Sequence, residues 1–133
     1  MNSAKALIQK YYDSFNHQNI EGMLSCLNQD VIHDVNEGDS EVGVEAFRKF
    51  LDRMNVHYKE HLTNMVIMAD ETGRTGCARF TVEGEYLKTD GGLPPARGQR
   101  YSIPAVGIFE IENQKIKRVT TYYNLKKWIE AVK

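Results

Sequence analysis

Along the first third of the chain, apolar residues fall at helical spacing. Ala4, Leu7, Ile8, Tyr11, Tyr12 and Phe15 recur three and four apart, which predicts a helix over residues 4–16 with a wide apolar stripe and Ser3 as its N-cap. "NHQN" breaks that pattern. Asn19 then caps a shorter helix through Ile20, Met23, Leu24 and Leu27, and Glu21 sits in its first turn, where the positive end of the helix favours a carboxylate. A third helix follows Gly43, with Val44, Phe47, Phe50, Leu51 and Met54 on its apolar face. Between the second and third helices lies "VIHDVNEG", residues 31–38. It is too short for a helix, and reads as a strand that carries His33, Asp34 and Asn36 to a glycine.

After about residue 61 the period changes from helical to two. In "CARFTVEGEYL", Phe80, Val82, Gly84 and Tyr86 share one face, and Arg79, Thr81, Glu83 and Glu85 the other. In "YSIPAVGIFEIE", Tyr101, Ile103, Ala105, Gly107, Phe109 and Ile111 alternate with a face that bears Ser102, Glu110 and Glu112. "ADETGR" reads as a hairpin loop between strands at 62–68 and 75–87, "ENQK" as a tight turn and "IKRVTTYYN" as a further strand. A short last helix carries Leu125, Trp128, Ile129 and Val132. Helices followed by an antiparallel sheet make an α+β arrangement. The sheet has one apolar and one polar face, so the helices should cover the apolar one. A strongly curved sheet wrapped around a long helix forms a cone with a natural pocket inside.

Composition adds exclusions. At 133 residues and 41% hydrophobic content, the chain suffices for one domain with a real core. Its net charge of −1, with both signs mixed along the chain, argues against a nucleic-acid footprint or a polybasic membrane surface. No apolar run spans a bilayer, and the N-terminal stretch lacks the features of a signal peptide. Cys26 and Cys77 lie far apart in apolar segments, which reads as two free thiols in a reducing cytoplasm rather than a disulfide or a metal site. His57 and His61 are four apart, a spacing that on a helix can place two imidazoles on one metal, but no third ligand accompanies them. No metal and no cofactor is expected.

The order of elements resembles the nuclear-transport-factor-two-like superfamily, and within it the ketosteroid-isomerase-related and SnoaL-like proteins. "IQKYYDSFNHQNIEGMLSCLNQDV" is similar to the first two helices of ketosteroid isomerase, "GVEAFRKFL" to its third helix and "FTVEGEY" to its long central strand. "FEIENQKIKRVTTYYN" is similar to the last hairpin of both groups. The resemblance implies a cone-shaped, cystatin-like fold with three N-terminal helices on a curved mixed or antiparallel sheet, in one domain over residues 1–133. It also implies a small, apolar, carbonyl-containing ligand and a homodimer formed through the outer sheet face. Two functions are open. One is a cofactor-free isomerase or polyketide-cyclase-type enzyme that transfers a proton next to a carbonyl. The other is a ligand-binding or dimerisation module without chemistry.

By the same resemblance Tyr11 falls at the isomerase's oxyanion tyrosine, where a phenol in a dry cone supports a developing enolate. A core tyrosine is the alternative, and Tyr12 beside it should not share its face. The base is a choice of register. Counting forward from Tyr11 lands on Val35, and counting back from Gly43 lands on Asp34, which the resemblance favours. Asp34 would then face inward with Asn36 and turn His33 outward; the other register puts His33 in the pocket. Asn36 and His33 would position the substrate, and Phe15, Phe50, Met54, Phe80, Val82, Tyr86, Tyr101, Phe109 and Tyr123 would line the cavity. The isomerase's second oxyanion donor falls on Gly107 or Val106, which offer no side-chain donor, and the cyclase's acid/base aspartate falls on Asn124, which can only orient a carbonyl. Gly84 and Gly107 either widen the cavity or mark bulges. "LKTDGGLPPARGQR", residues 87–100, is either a cover for the pocket mouth or a plain long hairpin.

Overall fold

A computed structural model describes residues 3–133. Helices α1 (Ser3–Asn16) and α2 (Ile20–Leu24) precede strand β1 (Leu27–Asp34), a short strand β2 (Ser40–Val42) and helix α3 (Val44–His57). Strands β3 (Tyr58–Ala69), β4 (Thr75–Tyr86), β5 (Arg100–Glu112) and β6 (Lys115–Tyr123) follow, and helix α4 (Leu125–Val132) closes the chain. Local chemistry sets most boundaries. The Asn19 side chain accepts from the Gly22 amide at the start of α2, and that of Asn124 from the Lys127 amide at the start of α4. Leu27, expected in the second helix, opens β1 instead, because it pairs with Ile116 of β6 and the Ile116 amide donates to the Cys26 carbonyl. The strand β2 is exposed on every residue and carries no alternation to read.

The six strands run in the order β2-β1-β6-β5-β4-β3. All neighbours are antiparallel except β1 and β6, which are parallel. Register breaks between Leu27 and Ile32, between Thr63 and Val66, and between Glu110 and Ile111 bend the sheet into an unclosed curl. Its concave face buries Ala78, Phe80, Val82, Ile103, Ala105, Phe109 and Val119 against α1 and α3. Burial of each phenylalanine, isoleucine or valine in this set stabilises by about 1.5–3 kcal/mol. On the convex face Val66, Met68, Ile108 and Tyr122 remain exposed.

Asn16, the last residue of α1, fixes the helix to the bent strand. Its amide accepts from the Leu62 N–H at 2.8 Å and donates to the Leu62 carbonyl at 3.0 Å, beside the bulge where Asn64 takes a positive φ of 55°. Asn16→Ala is therefore expected to cost about 1–3 kcal/mol, because it strands both backbone groups of Leu62. Urea denaturation checks this, and an unchanged midpoint would show that the bracket does not hold the helix in place.

The long β4–β5 connection is a strap. The Tyr86 hydroxyl donates to the Pro94 carbonyl at 2.8 Å and accepts from the Asp90 amide, and the Tyr58 hydroxyl donates to Asp90 at 2.7 Å. Gln99 and Arg97 donate to the Val132 and Lys133 carbonyls at the end of α4. Trp128 of α4 lies edge-on to Tyr58, Tyr86 and Tyr101. Strap and α4 thus cover one end of the cone together.

Candidate functional site

The parallel pairing of β1 with β6 decides the orientation of the opening polar stretch. His33 stands opposite Val119 and Asp34 opposite Thr120. Val119 is buried, so His33 is inward, 5% exposed, with its ring against Phe47 and Phe50 at 4.7 and 4.5 Å. Asp34 points to the convex side, which corrects the inward orientation expected for it. There it accepts from Arg118 Nε at 2.8 Å, Arg118 Nη2 at 3.1 Å, Thr120 Oγ1 at 2.6 Å and Ser40 Oγ at 2.6 Å. The physical reason is desolvation: a neutral imidazole enters an apolar interior far more cheaply than a carboxylate, and the carboxylate finds its cation on the other face. The hydrogen bonds from Arg118, with those of Ser40 and Thr120, hold the Asp34 carboxyl well below the ordinary carboxylate range. A group so stabilised in its ionised form is a poor proton acceptor.

Tyr11 is inside, 5% exposed, edge-on to Tyr12, Phe109 and Phe47 at 5.0, 5.5 and 6.4 Å. Burial pushes its phenol up, so it stays protonated. It does not meet Asp34, since the two lie on opposite sides of the sheet. Tyr12 is also buried, as its place in the wide apolar stripe of α1 predicts, because the helix is covered on more than one side. The glycines explain where these rings fit. A Cβ on Gly107 would lie 2.1 Å from the Tyr12 hydroxyl. Gly107 therefore does not widen a cavity or mark a bulge: the β4–β5 register is unbroken, and the space is occupied by Tyr12.

The expected lining residues divide in two. Tyr86 and Phe109 are fully buried and Phe80, Val82 and Tyr101 nearly so, which makes the first two core packing with no surface left for a ligand. Phe15, Phe50, Met54 and Tyr123 are half-buried and keep surface to offer. Asn36 accepts from the Tyr123 amide at 3.2 Å, while its Nδ2 is buried without a partner. His33 Nδ1 is likewise buried and unpartnered, since Glu41 at 3.8 Å lies beyond hydrogen-bond reach. Burial lowers the His33 pKa, so the ring is neutral near pH 7. Asn124 is exposed and engaged as the α4 cap, which corrects its expected role at the pocket. His57 ends α3 while His61 lies on β3, so the two do not share a helix face.

Sequence reasoning missed one group. Glu60 stands on the inner parity of β3, between Tyr58 and Leu62, and its row across the sheet is Glu60, Gly84 and Tyr101. A Cβ on Gly84 would lie 2.2 Å from the Tyr101 ring, so the glycine lets that ring lie across β4. The Tyr101 hydroxyl thereby reaches Glu60 and donates to it at 2.6 Å. Burial raises the Glu60 pKa and the Tyr101 hydrogen bond partly opposes that rise. An open cleft of about 380 Å³ touches both residues together with Asn16, Gln18 and Gly84. The available signal was a carboxylate at an inward position of an alternating strand.

No curated protein matches the chain. Among solved structures, a candidate polyketide cyclase from Pseudomonas putida shares 44% identity, with 98% of each chain covered and a TM-score of 0.96. A second, from Silicibacter sp., shares 47% identity over 100% of this chain and 97% of its own, with a TM-score of 0.97. An LEH-like epoxide hydrolase of Mycobacterium tuberculosis shares only the fold, at 14% identity, 98% and 89% coverage and a TM-score of 0.70. The SnoaL-like domain model matches residues 8–119. With that match laid over the cone of helices and bent sheet, the chain belongs to the SnoaL-like domain family, within the nuclear-transport-factor-two-like superfamily.

Proposed function

We propose that this protein binds a small, mostly apolar, carbonyl-containing molecule on the concave side of its sheet and, without a cofactor, transfers a proton next to that carbonyl in an isomerase- or cyclase-type reaction. One observation carries the reading: on the concave wall, His33 Nδ1 and Asn36 Nδ2 are buried with no hydrogen-bond partner among the described residues. Buried polar atoms are almost always satisfied in folded proteins, so these two are free to meet a ligand's oxygen. Half-buried Phe15, Phe50, Met54 and Tyr123 supply the apolar contact. The relatives described as candidate polyketide cyclases support the same ligand class.

The alternative, a ligand-binding or dimerisation module without chemistry, is favoured by the filling of the deeper cone with Tyr11, Tyr12 and Phe109. In either case the exposed convex residues Val66, Met68, Ile108 and Tyr122 are the proposed contact with a second copy of the chain. Both cysteines are free thiols, which fits a cytoplasmic protein, and among the described residues no helix is long and apolar enough to cross a membrane.

A thermal-shift screen with steroids, polyketide-like aromatics and cyclic ketones tests the reading. Bound ligands should raise the melting temperature. His33→Leu, which keeps the bulk and removes the polar ring, should weaken their binding by up to about tenfold, the worth of one neutral hydrogen bond. A screen in which no such compound binds would end the proposal.

A further inference from the structure

We propose that Glu60 is the catalytic base of this domain, with Tyr101 as the residue that positions it and Gly84 as the gap that lets the two meet. The inference rests on the concave face being the ligand site and adds the group that moves the proton. Three observations carry it. Glu60 is the carboxylate on the inner face of the three strands β3, β4 and β5, where every other inward neighbour in its row and the next is a glycine, a tyrosine or an aliphatic side chain. The Tyr101 hydroxyl donates to the Glu60 Oε2 at 2.6 Å, and among the described residues the second oxygen of the carboxylate has no hydrogen-bond donor. Finally, Glu60 keeps accessible surface on an open cleft of about 380 Å³, while the tyrosine that holds it is buried. A carboxylate anchored through one oxygen and open at the other is the geometry of a general base.

The surroundings favour that use. Tyr101 from β5 faces the carboxylate, Tyr123 from β6 senses its charge, and Tyr58 stands two residues back on the same strand with Asp90 of the strap behind it. Asn16 of α1 and Trp128 of α4 are uncharged. The cleft rim carries both signs, Lys59 and Arg100 with Glu83 and Glu85, together with His61. Among the described residues no cation forms a hydrogen bond or ion pair with Glu60, in contrast to Asp34 on the far face with its Arg118 partner.

A generic carbon acid tests the assignment without knowledge of the natural substrate. With 5-nitrobenzisoxazole, the free oxygen of the Glu60 carboxylate takes the C3 proton. The C–H electron pair completes the nitrile, the N–O bond breaks and the charge leaves on a coloured phenolate, so no oxidant or further reactant is required. The wild-type protein should accelerate this elimination beyond free carboxylate, with a rate that rises through an ionisation above the ordinary glutamate value. Glu60→Gln keeps the acceptor for Tyr101 and should lower the rate at least about 100-fold, the usual contribution of a general base. Tyr101→Phe removes a hydrogen bond to the ionised form, and Gly84→Ala pushes the ring away, so both should move the midpoint of the pH–rate profile upward. A residue that merely fills space would leave that midpoint alone. Binding is read in parallel by the fluorescence of Trp128, the single tryptophan, with 2-naphthol as the unreactive probe. Naphthol binding with no turnover, or with turnover unchanged in Glu60→Gln, overturns the base and leaves the ligand site standing. Absence of both binding and turnover overturns the two together.

Discussion

Gly107→Ala is expected to destabilise the protein by about 2 kcal/mol, lowering its melting temperature by roughly 8 °C. The new methyl carbon would stand 2.1 Å from the Tyr12 hydroxyl and 3.2 Å from the Phe109 ring. A flexible neighbour would swing aside, but Tyr12 is 5% exposed and enclosed by Tyr11, Phe80 and Phe109 at 5.0, 5.0 and 5.7 Å. Close-packed interiors do not absorb an extra carbon without shifting rings or backbone. The clash has one specific remedy. Tyr12→Phe removes the offending oxygen, so the double variant should recover most of the loss, a coupling visible as strong non-additivity in a denaturation cycle. If the two changes merely add, the ring does not occupy the space above Gly107.

The second large effect concerns the ion pair on the convex face. Asp34→Asn should cost about 2–3 kcal/mol at neutral pH, since it removes a charge-assisted double contact with Arg118. The pair is partly exposed, with side-chain accessibilities of 20% for Asp34 and 40% for Arg118, so the larger values typical of buried pairs do not apply. The pH dependence follows from the direction of the shift. The folded state holds the Asp34 carboxyl below its unfolded value, near 3.9 for a free aspartate, so the unfolded chain binds more protons in the window between them. The stabilisation is complete above about pH 5. It fades as the pH falls below that unfolded value and is gone once the folded carboxyl is protonated. The gap between wild type and Asp34→Asn should therefore close in acid, as read by urea midpoints at a series of pH values. Ligand binding should be unaffected, because the side chain faces away from the concave wall. A loss of binding with intact stability would restore Asp34 to the site.

Much of this fold is written in the sequence. The apolar spacing of Ala4 to Phe15, the cap at Asn19 and the period-two runs around Phe80 and Phe109 specify helices and strands locally, because capping and amphipathicity act over a few residues. The short strand Ser40–Val42 carries no sequence signal, because all three residues are exposed and only pairing with β1 makes them a strand. The candidate site is legible in residue types and not in directions. The sequence offers His33, Asn36, Phe15, Phe50, Met54 and Tyr123 as candidates, but the inward direction expected for Asp34 is reversed by the register, and the inward Glu60 carries no signal beyond its strand parity.

What the sequence by itself determined is therefore the helices, the four long strands β3 to β6, their order and the apolar face of each. Which of His33 and Asp34 faces inward was settled only by the parallel contact of β1 with β6, two strands separated by 80 residues or more of chain. A one-residue slip in that contact would exchange the two side chains, and no local pattern forbids it. The meeting of Glu60 with Tyr101 likewise exists only across Gly84, on three strands aligned by the sheet. Local periodicity encodes which residues share a face, but the choice of face belongs to long-range register, where desolvating a charge outweighs any preference of the strand itself.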